Sequence, residues 1–220
     1  GSVACRFIAA PSRVLRFVAG FVIADGIIGL TASQFVFRHG ELRCFSGWLY
    51  LDTLSAYHLL VMLLVFTLSS LFAVHYFSDD IREGRFSREI ARRYGTLWLA
   101  SLFTMTLTLM ANNIGLMWVG MEATTLVTAF LVSIYPERAA IEAMWKYLII
   151  CSVGIAFAFI GTILVAASAP PLHGNSGDLL FWTNLTTHSA ELNPLILKTA
   201  FIFAMVGYGT KAGLAPTHTW

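Results

Sequence analysis

Long apolar runs alternate with short polar stretches along this chain. Six runs have the length of membrane helices, at about 14–33, 53–76, 96–112, 115–135, 146–168 and 195–215. An apolar stretch of about 18 residues or more with few charges is enough to cross a bilayer. The polar breaks differ in kind. Ala111-Asn112-Asn113-Ile114 alone separates the third run from the fourth, which predicts a tight helical hairpin. Ser78 to Tyr94, between the second and third, is dense in arginine, and a polar segment with Pro170-Pro171 and His173-Gly174-Asn175-Ser176-Gly177 divides the fifth from the sixth. Strands of a membrane barrel alternate apolar and polar positions over about ten residues, and these runs are too long and too uniform for that. The pattern predicts an all-α fold, a polytopic transmembrane helix bundle of about six helices forming one domain over residues 1–220.

Composition strengthens this reading. Hydrophobic residues are 57% of the chain, charged residues 12%, and mean hydropathy is +0.73. Average soluble domains carry about one-quarter charged residues. A net charge of +2 with no basic stripe excludes nucleic acid as a partner. Cys5, Cys44 and Cys151 lie far apart with no CxxC and no Cys/His metal spacing, so neither metal nor cofactor is expected. The lipid bilayer is the first partner. With no initiator Met at Gly1 and no polar tail after Trp220, both ends are expected to be cut.

Lys and Arg predict the orientation. Arg6, Arg13 and Arg16 precede the first run, Arg82, Arg85, Arg88, Arg92 and Arg93 fill the second connection, and Arg138 and Lys146 flank the fourth. Only Arg38, Arg43 and Lys198 fall on the other side if every run crosses. The positive-inside rule then puts residues 1–13 and 77–95 in the cytoplasm. The arginine-rich connection, with Ile81, Phe86, Ile90 and Tyr94 among its charges, reads as an interfacial helix, a dock for a peripheral subunit, or a topology signal.

Three ionisable residues fall inside apolar runs: Asp25, Glu122 and Lys211. At the bilayer centre such a group costs about 2.5–3.5 kcal/mol, so each asks for a reason. Glu122 lies ten residues beyond Asn112, about 15 Å of helix and near the middle of the apolar core. Gly120, Thr124 and Thr128 have the small-xxx-small spacing that lets another helix approach, and Thr125 and Ala129 share the Glu122 face. Glu122 reads as a proton or ion site, or as a neutral acid hydrogen-bonded to a hydroxyl. Lys211 precedes Pro216 in a glycine-rich stretch. It reads as a lysine at a helix break, hydrogen-bonded to freed carbonyls, or as a snorkelling side chain at a helix end. Along straight helices it lies about 10 Å deeper than Glu122 from the same side, so spacing alone does not join them.

The remaining candidates are weaker. Asp25, beside Gly26 and Gly29, reads as a packing acid or a site residue. His58 and His75 are about 25 Å apart on one helix, which prevents that helix alone from clamping a haem between them. His218 extends a proton path or sits at the interface. Lys146 and Glu142 are one turn apart, either a partly solvated pair or a relay station with a supporting acid.

The run from Asn112 through Gly115-Leu116-Met117-Trp118 to Glu122-Ala123-Thr124-Thr125 resembles the antiporter-like proton-translocating subunits of respiratory complex I and membrane-bound hydrogenases. So does Gly207-Tyr208-Gly209-Thr210-Lys211-Ala212-Gly213-Leu214-Ala215-Pro216-Thr217-His218. Together with Met144-Trp145-Lys146-Tyr147-Leu148, these look most like the hydrogenase-4 component F group of formate-hydrogenlyase-type complexes. The resemblance covers about 49–220. It implies the N-terminal half of a fold of about fourteen helices in two inverted repeats, with a broken helix near Lys211. It also implies that the first family helix and the second repeat are missing. By the same resemblance Glu122 and Lys211 are the pair that gates proton movement; the alternatives are a subunit of a multisubunit cation/proton antiporter, with sodium as the other ion, or a non-transporting membrane scaffold for peripheral redox subunits. No redox cofactor site is legible, so redox chemistry would belong to partners: other membrane subunits and peripheral NiFe-hydrogenase or dehydrogenase subunits in a bacterial inner membrane.

Overall fold

The structure is a computed structural model, and it describes all residues except 3, 7, 9, 170–178 and 220. The Pro170–Gly177 segment singled out above therefore lies outside the described residues. Helix α1 spans Pro11–His39, followed by a hairpin of β1 (Leu42–Cys44) and β2 (Leu49–Leu51). Then come α2 (Thr53–Tyr76), α3 (Ser78–Arg82), α4 (Arg88–Met110), α5 (Ile114–Val132), α6 (Arg138–Ala167), α7 (Trp182–Thr187) and α8 (Pro194–Ala212).

Local chemistry fixes where these helices begin. Asp52 accepts from the amide of Ser55 at 2.7 Å and opens α2. Asn113 accepts from the amides of Gly115 and Leu116, satisfying two of the unpaired donors at the start of α5. Asn193 does the same for α8, with Pro194 at the first helical position. Helix α8 ends where Gly213 turns left-handed (φ 78°) and the amide of Leu214 closes back onto the carbonyl of Gly209 at 2.9 Å. The interruption expected near Lys211 thus falls at Gly213, three residues before Pro216.

Among the described residues, five of the long helices are apolar and long enough to cross a membrane, and α4 is not among them. It has the length, but Arg88, Glu89, Arg92 and Arg93 occupy its first turns and Thr104, Thr106 and Thr108 its last. It is nevertheless packed into the bundle, against α5 on one side and α1 on the other. Helices α1, α4 and α6 also start before their apolar runs, at the arginine-rich end. Helix α6 starts at Arg138 rather than near Lys146, because charged residues continue a helix that hydropathy alone would stop.

Large side chains cover the outward faces, among them Ile28, Leu64, Phe103 and Phe201, each about two-thirds or nearly two-thirds exposed. Water does not tolerate apolar surface of that extent, whereas lipid does. This is a membrane protein.

The two ends of the bundle are closed differently. At one end, the hairpin, the α4–α5 turn and α7 are tied together by backbone bonds. The Asn112 amide donates to Trp48, and its carbonyl accepts from Trp182 at 2.7 Å. At the other, arginine-rich end, Phe86 is fully buried and stacked on Phe77 with ring centroids 4.3 Å apart, beside Tyr94. Tyr135 donates to Asp80 at 2.8 Å. The connection is consequently not an interfacial helix. Its apolar residues fold inward, and its only helical piece beyond α4 is the five-residue α3.

Candidate functional site

Helices α5, α6 and α8 meet where two of the intramembrane charges lie. The α6–α8 contact is the most extensive in the molecule and is built from small residues. A Cβ on Gly161 would stand 2.6 Å from the amide nitrogen of Ala204, and one on Gly154 would stand 2.7 Å from Thr210. That approach brings Lys211 across to the other two helices. Its Nζ donates to Thr125 Oγ1 at 2.7 Å and to Tyr147 OH at 3.0 Å, and lies 5.4 Å from the centre of the Tyr147 ring.

Two consequences follow from the directions of the helices. Side chains tilt toward the N-terminus of their own helix, so Lys211 points back from the end of α8 into the bundle. It is a bundle-facing lysine, not one that snorkels to the surface. The tilt also recovers part of the depth difference between Lys211 and Glu122, but only part. The ammonium lands on Thr125, about one helical turn beyond Glu122 along α5.

Glu122 is half-buried, and its Oε2 is shielded from solvent with no hydrogen-bond partner. Among the described residues no ion pair joins Glu122 to Lys211, whose ammonium is held by Thr125 and Tyr147 instead. Around them is a ladder of hydroxyls. Thr128 shares a 2.9 Å hydrogen bond with Tyr147 and donates to the Thr124 carbonyl at 2.7 Å. Thr124 reaches Thr104 of α4 at 3.0 Å. The close helix approach expected from Gly120, Thr124 and Thr128 is present, and the neighbour is α4, with Gly120 set against Thr108.

Space continues from this cluster toward the hairpin end. A cavity of about 390 Å³ is walled by Lys211, Thr124, Met121, Thr108 and His58. A second, of about 540 Å³, shares Thr108, Leu109 and Met121 with it and extends to Asp52, Tyr50 and Trp182.

The other candidates lie apart. Asp25 lines a separate cavity of about 250 Å³ with Leu99, Phe103 and Thr106. Lys146 is bound to Glu142 at 2.6 Å, both largely exposed. His218 is exposed in the tail beyond α8. Tyr147 was overlooked as a site residue by sequence reasoning. The signal for it was a phenol inside an apolar run, a polar group that needs a partner when buried.

Comparison with known proteins bears on the family of the chain. Residues 111–220, which hold Glu122, Tyr147 and Lys211, match the family described as NADH:quinone oxidoreductase/Mrp antiporter, TM. The chain belongs to this family. Among curated relatives, it is 44% identical over 152 residues to a hydrogenase-4 component F homolog of Methylacidiphilum infernorum, covering 69% of this chain and 32% of that protein. It is 27% identical over 170 residues to hydrogenase-4 component B of Escherichia coli (77% of this chain, 23% of the other). Against NADH-quinone oxidoreductase subunit N of Helicobacter acinonychis the identity is 24% over 200 residues (91% and 37%). The chain therefore spans between about a quarter and somewhat over a third of the length of these family members. Its fold matches a chain of respiratory complex I from Thermus thermophilus with a TM-score of 0.69 at 22% identity, covering all of this chain and 44% of that one. The antiporter-like helix bundle expected from the sequence is thus the fold of this family.

Proposed function

We propose that this chain is part of a proton-translocating membrane subunit of a hydrogenase- or NADH-dehydrogenase-like complex. Protons move through Glu122 and Lys211 while partner subunits, a NiFe-hydrogenase or dehydrogenase among them, carry the redox chemistry. The observation that carries this reading is a lysine and a glutamate held inside apolar helices, the lysine seated one helical turn from the glutamate and not bonded to it. Each charge costs free energy in the hydrocarbon, and pairing them is the ordinary remedy. A lysine seated on hydroxyls beside an unpaired carboxylate suits a relay that alternates between paired and separated states. The family and its hydrogenase-4 and NADH-quinone oxidoreductase relatives supply the type of complex.

In this reading the arginine-rich end faces the cytoplasm, with residues 1–13 there, and the membrane is the bacterial inner membrane. The two cavities lie between Lys211 and the opposite, hairpin end. His218 and Lys146 are further stations of the relay, with Thr125, Glu142 and Asp25 in support. The test is proton pumping by the intact complex in proteoliposomes. Glu122→Gln and Lys211→Ala should each abolish pumping while leaving assembly largely intact, and unchanged pumping in both would sink the proposal. Because the family description also includes Mrp antiporters, a second reading is a cation/proton antiporter subunit. Transport that requires sodium would select it.

A further inference from the structure

Lysine has three donors and no acceptor, so the groups around a buried ammonium must all present lone pairs to it. The groups around Lys211 are arranged in that way. Thr125, fully buried, receives one N–H and passes its own proton to the carbonyl of Met121 at 3.0 Å. Tyr147 receives another. Its phenolic proton is then free to go to Thr128, which in turn donates to the carbonyl of Thr124. Both chains of hydroxyls thus end on backbone oxygens of α5. The face of the Tyr147 ring adds a cation–π contact.

This is a seat for a cation, with two accepting hydroxyls and an aromatic face, and it is made of neutral groups. One turn away on the same helix, Glu122 Oε2 is buried without a partner. One lysine therefore has two destinations along one face of α5. We propose that Thr125 and Tyr147 form a second seat for Lys211 that competes with Glu122, and that the two hydroxyls are positioning residues setting how readily the lysine leaves the carboxylate. The proposal rests on the relay reading above and deepens it.

Tyr147 suits both protonation states of the lysine. Opposite an ammonium it accepts and turns its proton to Thr128. Opposite a neutral amine it can turn the same proton to Nζ. Thr128 then loses only a hydrogen bond that it accepted and keeps the one it donates to Thr124. The lysine's proton can leave for a further acceptor while Nζ stays hydrogen-bonded. Phenylalanine at 147 would keep the ring and remove this adjustment.

The experiment uses the intact complex, measuring pumping in proteoliposomes and determining the structure of each variant. Tyr147→Phe and the near-isosteric Thr125→Val should each slow pumping about tenfold, the scale expected for loss of one hydrogen bond to a charged group. In both, Lys211 Nζ should be found on Glu122. Thr125→Ser, which restores the hydroxyl, should recover the rate lost in Thr125→Val and return Nζ to the seat. Failure of Thr125→Ser to recover the rate would mark a packing role and overturn the proposal. Wild-type pumping in Tyr147→Phe and Thr125→Val, with pumping lost in Glu122→Gln and Lys211→Ala, would overturn the second seat and leave the relay standing. Normal pumping in all four would overturn both.

Discussion

Gly207 of α8 lies against the backbone of Ala158 of α6, so that a Cβ on the glycine would stand 2.6 Å from the Ala158 Cα. The neighbour here is main chain, which cannot rotate away. This contact sets the separation of the two helices, and with it the reach of Lys211 to Tyr147.

Gly207→Ala should therefore force α6 and α8 apart. Overpacking of this kind costs about 1–3 kcal/mol. The expected outcome is a lower melting temperature for the full-length subunit in detergent, together with slowed pumping in the complex, since Lys211 moves off its hydroxyls. An unchanged melting temperature would show that the helices separate without cost.

Asn112 joins three elements at the hairpin end. Its side chain, 3% exposed, donates to the Gly47 carbonyl at 2.8 Å and to Thr183 Oγ1 at 3.1 Å, and accepts from the Thr183 amide at 3.2 Å. Asn112→Ala leaves the Gly47 carbonyl and the Thr183 amide without this partner, at about 1–3 kcal/mol for each that stays dry. Faster hydrogen exchange at Thr183 and in the hairpin is the measurement that checks it.

Trp98 of α4 donates its indole N–H to Ser70 of α2 at 2.8 Å. Its ring stacks on Tyr94 and tilts against Phe66. Trp98→Phe keeps an aromatic ring and loses the hydrogen bond, so about 1 kcal/mol of stability should go. Ser70→Ala should cost a similar amount. The double variant should cost less than the sum, because both single changes remove one interaction.

The hairpin carries a pH-dependent clasp outside the membrane spans. Tyr50 and Arg43 both donate to the Glu41 carboxylate, and these bonds, that of Tyr50 foremost, hold it below the usual carboxylate range. A lowered folded-state pKa stabilises above the unfolded value and loses its contribution as pH falls through the folded one. The same bond pushes Tyr50 up to about 12. A raised pKa stabilises below the ordinary phenol value of 10.0, and that contribution disappears as pH rises toward 12. Hydrogen-exchange protection in the hairpin, taken relative to the intrinsic rate at each pH, should accordingly be greatest between the carboxylate and phenol ranges. In Tyr50→Phe the alkaline loosening should vanish and the acid loosening should shrink. An identical pH profile for the variant would refute the clasp.

Much of this was legible in the chain itself. Hydropathy is a local, one-dimensional property, so runs of bilayer length announce membrane helices without reference to the rest of the fold. Asn113 and Gly213 mark their own helix ends for the same reason, through a side chain or a backbone angle that acts within a few residues. Glu122 and Lys211 stood out because each interrupts an apolar run with a charge the membrane rejects. Charged flanks hid the true lengths of α4 and α6, since a helix continues past the point where its residues cease to be apolar.

The partner of Lys211 was a different kind of question, and only the tertiary structure decided it. The answer depends on the direction of α8, the depth at which its last turn meets α5, and a phenol from a third helix, none of which is encoded in the spacing along any one segment. Position along α5 selected Thr125 over Glu122, and the glycine-lined α6–α8 contact brought Tyr147 within hydrogen-bonding distance. The sequence determined which charges enter the membrane. Packing decided what they touch, because contact distance is set by the approach of whole helices.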